Sequence, residues 1–279
     1  LTQDMTAPMV LCGIILKMLN QNGVMILTML HKSMITYFIE KNNRKVQMRL
    51  ILSAAIALGC STASYADDSK SQFFVELYTY GYTEPSVMAK DSEIGFVGLG
   101  FQNYGSANED GFISNGLGFV GTTAYSSSGT GTTDNDLTLG FSAEVAYKKQ
   151  SFFAGLGYRQ LYDNWGGKQS STGHWSYDRK SQYLYVPIGS MVYMENGGHF
   201  KSQFNYLIGG KQTSYLGGLA GYADTTNTQK SGWGVELEYA PLENYAMFVR
   251  HWNIEDSTVN NGLYEPSNTT TEIGVKYAF

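Results

Sequence analysis

The chain has 279 residues, a net charge of −5 and two cysteines, Cys12 and Cys60. From Asp67 onward it holds 13 basic and 22 acidic residues, a net charge of −9, which excludes a basic nucleic-acid-binding face. The same part holds no cysteine, so no disulfide framework is expected there. The whole chain's 21 tyrosines and 32 glycines, against five prolines, favour a β-sheet protein over a disordered one.

Residues 48–66 have the layout of a secretory signal peptide. Basic residues around the start of this segment precede an uncharged apolar run over 50–59, and the small residues of CSTASYA end at Ala66. The apolar run is about half the roughly 20 residues that a membrane-spanning helix needs. We therefore expect export, cleavage near Ala66 and a single exported domain over 67–279.

Two alternatives concern the front of the chain. Cys60 could carry a lipid, although Ala57 stands where a lipobox normally has leucine. Residues 1–47 contain apolar patches that are too short to span a bilayer. We interpret this stretch as an over-called start, with Met48 as the initiator, or as an extended leader.

Segments of alternating apolar character recur from Gln72 to the end of the chain. Alternation with a period of two is typical of strands that expose two different faces. Ten such segments are found, at 72–83, 92–103, 111–125, 135–148, 151–163, 180–194, 199–212, 231–241, 245–255 and 270–279.

The connections between these segments alternate in length. Tight turns of glycine, asparagine or proline character lie at 148–150, 195–198 and 241–244, and a longer one lies at 104–110. Longer polar loops lie at 126–134, 164–179, 213–230 and 256–269. This layout predicts an all-β, closed antiparallel transmembrane barrel of ten strands, with short periplasmic turns and long extracellular loops. Eight strands are the alternative, if 92–125 pairs differently.

One face of the predicted strands carries glycines and balanced charges. Five acidic and five basic residues are assigned to the interior: Glu76, Glu144, Glu236, Glu238 and Glu272 against Arg159, Lys201, Lys211, Arg250 and Lys276. Buried charges must be paired, and a barrel of this size has little room beyond its side chains. We therefore expect a narrow, salt-bridged lumen, whereas a selective pore would show one sign in excess.

The chain ends in TEIGVKYAF, a strand with an aromatic last residue. This strand resembles the C-terminal strand of small Gram-negative outer-membrane β-barrels of the opacity-type and porin-like families. The resemblance implies a location in the cell outer membrane, contact with outer-membrane lipid and lipopolysaccharide, and recognition by the barrel-assembly machinery. The residues it implies as the assembly signal are Ile273, Val275, Tyr277 and Phe279.

The predicted extracellular loops carry aromatic side chains among small polar residues, a composition that binding loops use. The candidates for contact with an extracellular ligand or host surface are Trp165, His174, Trp175, Tyr177 and Tyr264.

A catalytic site is not predicted. The lipid A deacylases carry a His-x-Ser pair, whereas Asn253 stands two residues after His251, and Ser257 follows in a loop. Omptin-type proteases use an Asp-His couple plus an acidic pair at the outer rim. No histidine after Asp67 stands in an Asp-x-His arrangement, and Asp134 and Asp136, which could form the acidic pair, stand beside a loop, where aspartates are usually just solvated. The histidines show no metal-ligand spacing, so neither a metal nor another cofactor is expected.

The sequence therefore predicts a non-enzymatic outer-membrane barrel with a structural or surface-interaction role. The alternatives are a small channel for ions or solutes, a membrane-embedded lipid A or peptide hydrolase, and a secreted β-sandwich.

Overall fold

The computed structural model describes residues 71–92, 95–106 and 109–279. The predicted leader at 1–47, the signal peptide at 48–66 and its cleavage point lie outside the described residues. In the part of the chain that is described, no helix is long and apolar enough to cross a membrane.

The described residues form antiparallel strands that follow one another along the chain. In chain order the strands are β1 (Ser71–Glu84), β2 (Met88–Asp91), β3 (Phe96–Asn103), β4 (Gly111–Ser127), β5 (Gly131–Lys149), β6 (Phe152–Asn164), β7 (Asp178–Tyr193), β8 (His199–Tyr215), β9 (Thr225–Gln229), β10 (Gly232–Leu242), β11 (Tyr245–Ile254) and β12 (Asn268–Ala278).

The sheet closes on itself where its first and last strands meet. β12 pairs with β1 from Phe74↔Ala278 to Thr83↔Thr269, and β1 pairs on its other side with β2 and β3. β2 and β3 lie end to end in one strand position, as do β9 and β10 beside β8. The described strands therefore form a ten-position closed barrel, which confirms the predicted fold class and excludes both eight strands and a sandwich.

The strands extend further toward the loops than the apolar pattern indicates. β9 lies inside the predicted loop 213–230, and β2 lies in the connection after β1. β4 ends at Ser127 and β5 begins at Gly131, so the predicted loop 126–134 is reduced to a tight turn. The strand β9 reads TTNTQ, which is polar on both faces, so apolar alternation could not reveal it.

A bulge in β8 reverses which residues face inward. Leu184 of β7 pairs with Gly209, but the next residue, Tyr185, pairs with Leu207, so Ile208 is extra. An extra residue shifts the two-residue period by one position. The odd-numbered residues of β8 are buried up to Leu207, and Gln212 and Ser214 are buried beyond the bulge.

Glycines on the inner wall make room for large aromatic side chains. Gly157 pairs across the strands with Tyr185, whose buried ring lies where a Cβ on Gly157 would be. The Tyr185 hydroxyl in turn donates a hydrogen bond to Glu144 Oε1 at 2.8 Å. The Tyr185 ring on β7 therefore packs in this position only because Gly157 on β6 has no side chain.

We predict that Gly157→Ala lowers the stability of the folded barrel by about 1–3 kcal/mol, because the added methyl group forces the enclosed Tyr185 ring to move. The midpoint of urea unfolding in detergent measures the change. Gly209→Ala is the matched control, since a Cβ at Gly209 meets no atom within 4 Å. Equal midpoints for the two variants would contradict this account of the inner wall.

Candidate functional site

The interior nearest the middle of the barrel is organised around Arg250 on β11. Its guanidinium donates two hydrogen bonds to Glu76, at 2.9 and 2.7 Å, and a third to Glu236 Oε2 at 3.2 Å. It also lies 3.6 Å from Glu272 Oε2. All four side chains are buried. A forked guanidinium can serve several carboxylates at once, which a lysine could not do with the same geometry.

Further ion pairs extend this network around the inner wall. Lys201 Nζ lies 3.0 Å from Glu236 Oε1, and Arg159 pairs with Glu272. Lys276 Nζ lies 2.6 Å from Glu238 Oε2.

The neighbours of Glu238 and Lys276 complete the network on its turn side. His199 Nε2 lies 2.7 Å from the other carboxylate oxygen of Glu238. Lys276 also donates to Gln102 and to the Tyr104 hydroxyl, at 2.8 and 3.1 Å. The carboxylates and amines at this level are thus satisfied by one another and by neutral partners.

Glu144 is held differently from the other acidic residues of the network. Its Oε1 accepts hydrogen bonds from the Tyr185 hydroxyl and from Gln203 Nε2, at 2.8 and 2.9 Å.

The structure brings nine of the ten residues assigned to the interior into the barrel.

Lys211 is the exception, and its assignment to the interior is wrong. It is exposed on the outer wall because the bulge at Ile208 shifts the face of every residue that follows it in β8. The sequence offered no charge or glycine signal that would separate this position from Lys201 on the same predicted strand.

A second buried network near the loops was not predicted. Arg179 Nη1 lies 2.8 Å from Glu84 Oε1, and its Nε lies 3.1 Å from Asp163 Oδ2. Lys90 Nζ lies 2.6 Å from the same Asp163 oxygen, and Thr138 donates to Asp163 Oδ1 at 2.9 Å.

The four charged residues of this second network lie at or beyond the ends of the predicted segments. A signal for two of them existed. Glu84 shares the parity of Glu76 on β1, and Asp163 shares the parity of Arg159 on β6. Extending the predicted strands with their period would have placed both carboxylates inside.

Aromatic side chains fill the space between the two networks. Tyr185 and Trp252 pack edge to face with their ring centroids 4.9 Å apart, and Tyr80 stacks on Phe96 at the same distance. Trp252 points inward with the other even-numbered residues of β11, which are all buried: Ala246, Phe248, Arg250 and Ile254.

Little free space remains in this interior. Two cavities have volumes of about 20 and 30 Å³, and Arg159 lines both of them. A volume of this size holds one or two water molecules. Around Arg159 the described side chains therefore leave room for no more than a few water molecules.

The outer wall is apolar over a wide belt. On β7 the outward residues Leu184, Ile188 and Val192 expose 44 to 53 per cent of their surface. Gln182 lies ten residues before Val192, which is roughly 25 Å along the barrel axis for a rise of about 3.3 Å per residue and a tilt near 40°. That is the height of the apolar band of a barrel in a bilayer.

Exposed aromatic side chains surround the barrel at the end with the tight turns. They are Phe73, Phe112, Tyr147, Phe152, Tyr239, Tyr245 and Phe279. On β12, Ile273 and Val275 are exposed on the outer wall and belong to its apolar belt. Tyr277 packs between the rings of Tyr245 and Phe279. The Phe279 backbone N–H donates to the carbonyl of Phe73 at 2.8 Å, so the last residue takes part in the closing seam.

The loop aromatics divide into covered and exposed side chains. Trp165 is buried and packs edge to face on Tyr125, with 5.4 Å between centroids. Tyr177 is half-buried, and burial raises the pKa of its hydroxyl to about 12. Trp175 and Tyr264 expose 56 and 54 per cent of their surface, and His174 is exposed beside Trp175.

The loops that carry these residues are fixed by backbone contacts. The Ser171 N–H donates to the Thr132 carbonyl, and Thr172 Oγ1 donates to the Thr130 carbonyl, both at 2.8 Å, so this loop lies on the β4–β5 turn. Asn227 of β9 donates to the carbonyls of Thr258 and Leu263, at 2.9 and 2.8 Å.

The residues considered for catalysis are engaged in other contacts. His251 Nδ1 lies 2.9 Å from Thr271 Oγ1 on the outer wall, and Ser257 Oγ donates to the Thr258 carbonyl at 3.1 Å. Asp136 pairs with Lys168 at 3.1 Å. In 71–92, 95–106 and 109–279, the only histidine paired with a carboxylate is His199, buried against Tyr104.

No protein-family model matches the chain, and no curated protein matches it. Solved structures do. The outer membrane protease OmpT from Escherichia coli matches with a TM-score of 0.38 and 10% identity over 77% of this chain and 99% of that one.

Two other matches have similar values. Neisserial surface protein A matches with a TM-score of 0.36 and 11% identity over 76% of this chain and 100% of that one. An outer membrane channel from Pseudomonas putida F1 matches with a TM-score of 0.42 and 11% identity over 77% and 98%. Sequence identities near 10% and TM-scores below 0.5 support no conclusion about activity.

We predict that Arg250→Met destabilises the barrel by about 3–5 kcal/mol, because it leaves Glu76 and Glu236 as buried charges that have lost a shared partner. Urea unfolding in detergent measures the loss. The control is Lys149→Gln, which removes an exposed charge near a turn and should stay within about 0.5 kcal/mol of the wild type. A loss no larger than that of the control would contradict the central place given to Arg250.

Proposed function

We propose that this protein is an outer-membrane β-barrel with a closed interior, which acts without catalysis as a structural or surface-interaction protein through its extracellular loops. The observation that carries the proposal is an inverted distribution of polarity. The outer wall is apolar over about 25 Å, while the interior holds two buried ion-pair networks. A soluble barrel would expose its charges and bury its apolar residues.

The ends of the barrel support an orientation. Aromatic residues form a girdle at the end with tight turns, as at a membrane interface. The opposite end carries the longer connections with the exposed Trp175 and Tyr264. In this orientation the tight turns face the periplasm and the loop aromatics face outward, where rigid rings in a polar setting suit contact with a ligand or host surface.

The two alternative activities have less support. A channel needs a continuous water path, whereas two buried ion-pair networks and the aromatic side chains between them occupy the described lumen, and the two cavities lined by Arg159 have volumes of about 20 and 30 Å³. The hydrolase considered from the sequence would pair His251 with a serine nucleophile, whereas His251 Nδ1 lies 2.9 Å from the Thr271 hydroxyl on the outer wall and Ser257 Oγ donates to the Thr258 carbonyl.

The orientation predicts which parts of the chain antibodies reach. An epitope tag inserted after Gly218, in an exposed loop where a Cβ added to this glycine would meet no atom within 4 Å, should be labelled on intact cells. A tag inserted after Gly197, in the turn between β7 and β8, should be labelled only after the outer membrane is opened. The reverse pattern would overturn the orientation, and extraction of the protein without detergent would overturn the membrane location.

The closed interior predicts electrical silence in a planar bilayer. The folded protein, identified by its faster migration in unboiled gels, should produce no discrete conductance steps, because the filled lumen excludes a chain of water molecules. A porin reconstituted in parallel shows that the bilayer reports channels. Reproducible conductance steps that depend on the ion would contradict the closed barrel and support the channel alternative.

A further inference from the structure

The outer wall of β6 to β9 changes from apolar to polar at one level. Gln160, Gln182, Lys211 and Thr228 pair side by side across these four strands and form what we call the polar row. On the turn side of this row, Leu156, Leu184 and Ile208 are exposed and belong to the apolar belt. The polar row therefore marks the limit of the belt toward the loops.

Two lysines lie together at this limit. Lys211 belongs to the polar row, and Lys180 lies one step further toward the loops, where it pairs with Thr213. Because Gln182 pairs with Lys211, the two lysines are diagonal neighbours, with backbones roughly 7–8 Å apart. Two long side chains at this separation can reach one ligand.

Neither lysine has an acidic partner within 4 Å in the described part of the chain. The carboxylate on the same face of β7 is Asp178, which is buried and accepts hydrogen bonds from the Tyr162 hydroxyl and the Gly166 N–H, both at 2.7 Å. By contrast, the interior Lys90, Lys201 and Lys276 all have carboxylate partners. Two adjacent like charges repel, so this position favours an anion that comes from outside the chain.

Neutral polar groups beside the lysines are already ordered. Gln182 Nε2 donates to the Tyr158 hydroxyl at 2.6 Å and lies 3.2 Å from Gln160 Oε1, while Tyr158 donates to the same oxygen at 3.1 Å. Lys180 Nζ lies over the Tyr215 ring, 6.0 Å from its centroid. The two lysines thus lie beside ordered neutral polar groups at the edge of the lipid-facing side chains.

We propose that Lys180 and Lys211 bind the phosphate of an anionic lipid in the leaflet on the loop side of the barrel. The inference rests on the proposed membrane location, in which that leaflet carries the phosphorylated lipid A of lipopolysaccharide. The phosphate contacts the two amines, and the acyl chains lie along Leu156, Leu184 and Ile208. The two lysines adjoin the apolar belt, and this favours a lipid over a free anion, because a free anion would make no contact with the belt.

The test measures lipid A binding to the protein folded in detergent, by titration and by the upward shift of the unfolding midpoint. Lys180→Gln with Lys211→Gln should weaken binding roughly 30-fold and remove most of the midpoint shift. Lys149→Gln, at the opposite end of the outer wall, should bind as the wild type does. Dephosphorylated lipid A should bind both variants and the wild type equally weakly.

Each other outcome has a defined meaning. Equal binding of phosphorylated lipid A by the wild type and the double variant would overturn the site. Inorganic phosphate that displaces lipid A at equal concentration would overturn the lipid assignment, because the acyl chains would then contribute nothing. Both results can occur while the barrel inserts in membranes and its epitope tags are labelled as predicted. They are therefore distinguishable from a failure of the proposed function.

Discussion

The pairing of the first strand with the last is the constraint on which the rest of the structure depends. In a bilayer no water satisfies the backbone groups of a free sheet edge, so a spanning sheet must close. Here β12 pairs along ten residues of β1, and the Phe279 N–H adds a further bond to the Phe73 carbonyl. The aromatic C-terminal residue is thereby part of the seam, and its outward ring lies in the girdle of exposed aromatics.

Closure gives each strand one face toward a dry, crowded interior. Charges in such a space are stable only when they are paired and hydrogen-bonded. The Arg250 network and the Arg179 network meet this requirement with short contacts between strands that are far apart in sequence, such as Arg250 to Glu76 at 2.7 Å. These contacts also occupy part of the described lumen, so the pairing that stabilises the interior supports the closed scaffold proposed above.

Much of the barrel could be predicted because alternation is a local property. The ten segments, their tight turns and nine of the interior charges follow from a period of two and from turn residues. Lys211 could not be assigned correctly, because one extra residue, Ile208, reverses the face after it. Lys90 and Arg179 were missed because they lie outside the predicted segments, whereas Glu84 and Asp163 could have been placed inside by extending the period of β1 and β6.

The sequence by itself determined the all-β class and the inverted polarity, because each is a pattern of neighbouring residues. It favoured ten strands over eight, and the pairing between strands settled that number. Only the tertiary structure decided which charges meet and how much space remains between them. It also placed Lys180 and Lys211 as an unpaired couple at the limit of the apolar belt. The physical reason is that these features depend on register and bulges, which are fixed by packing between strands and not by the pattern within one strand.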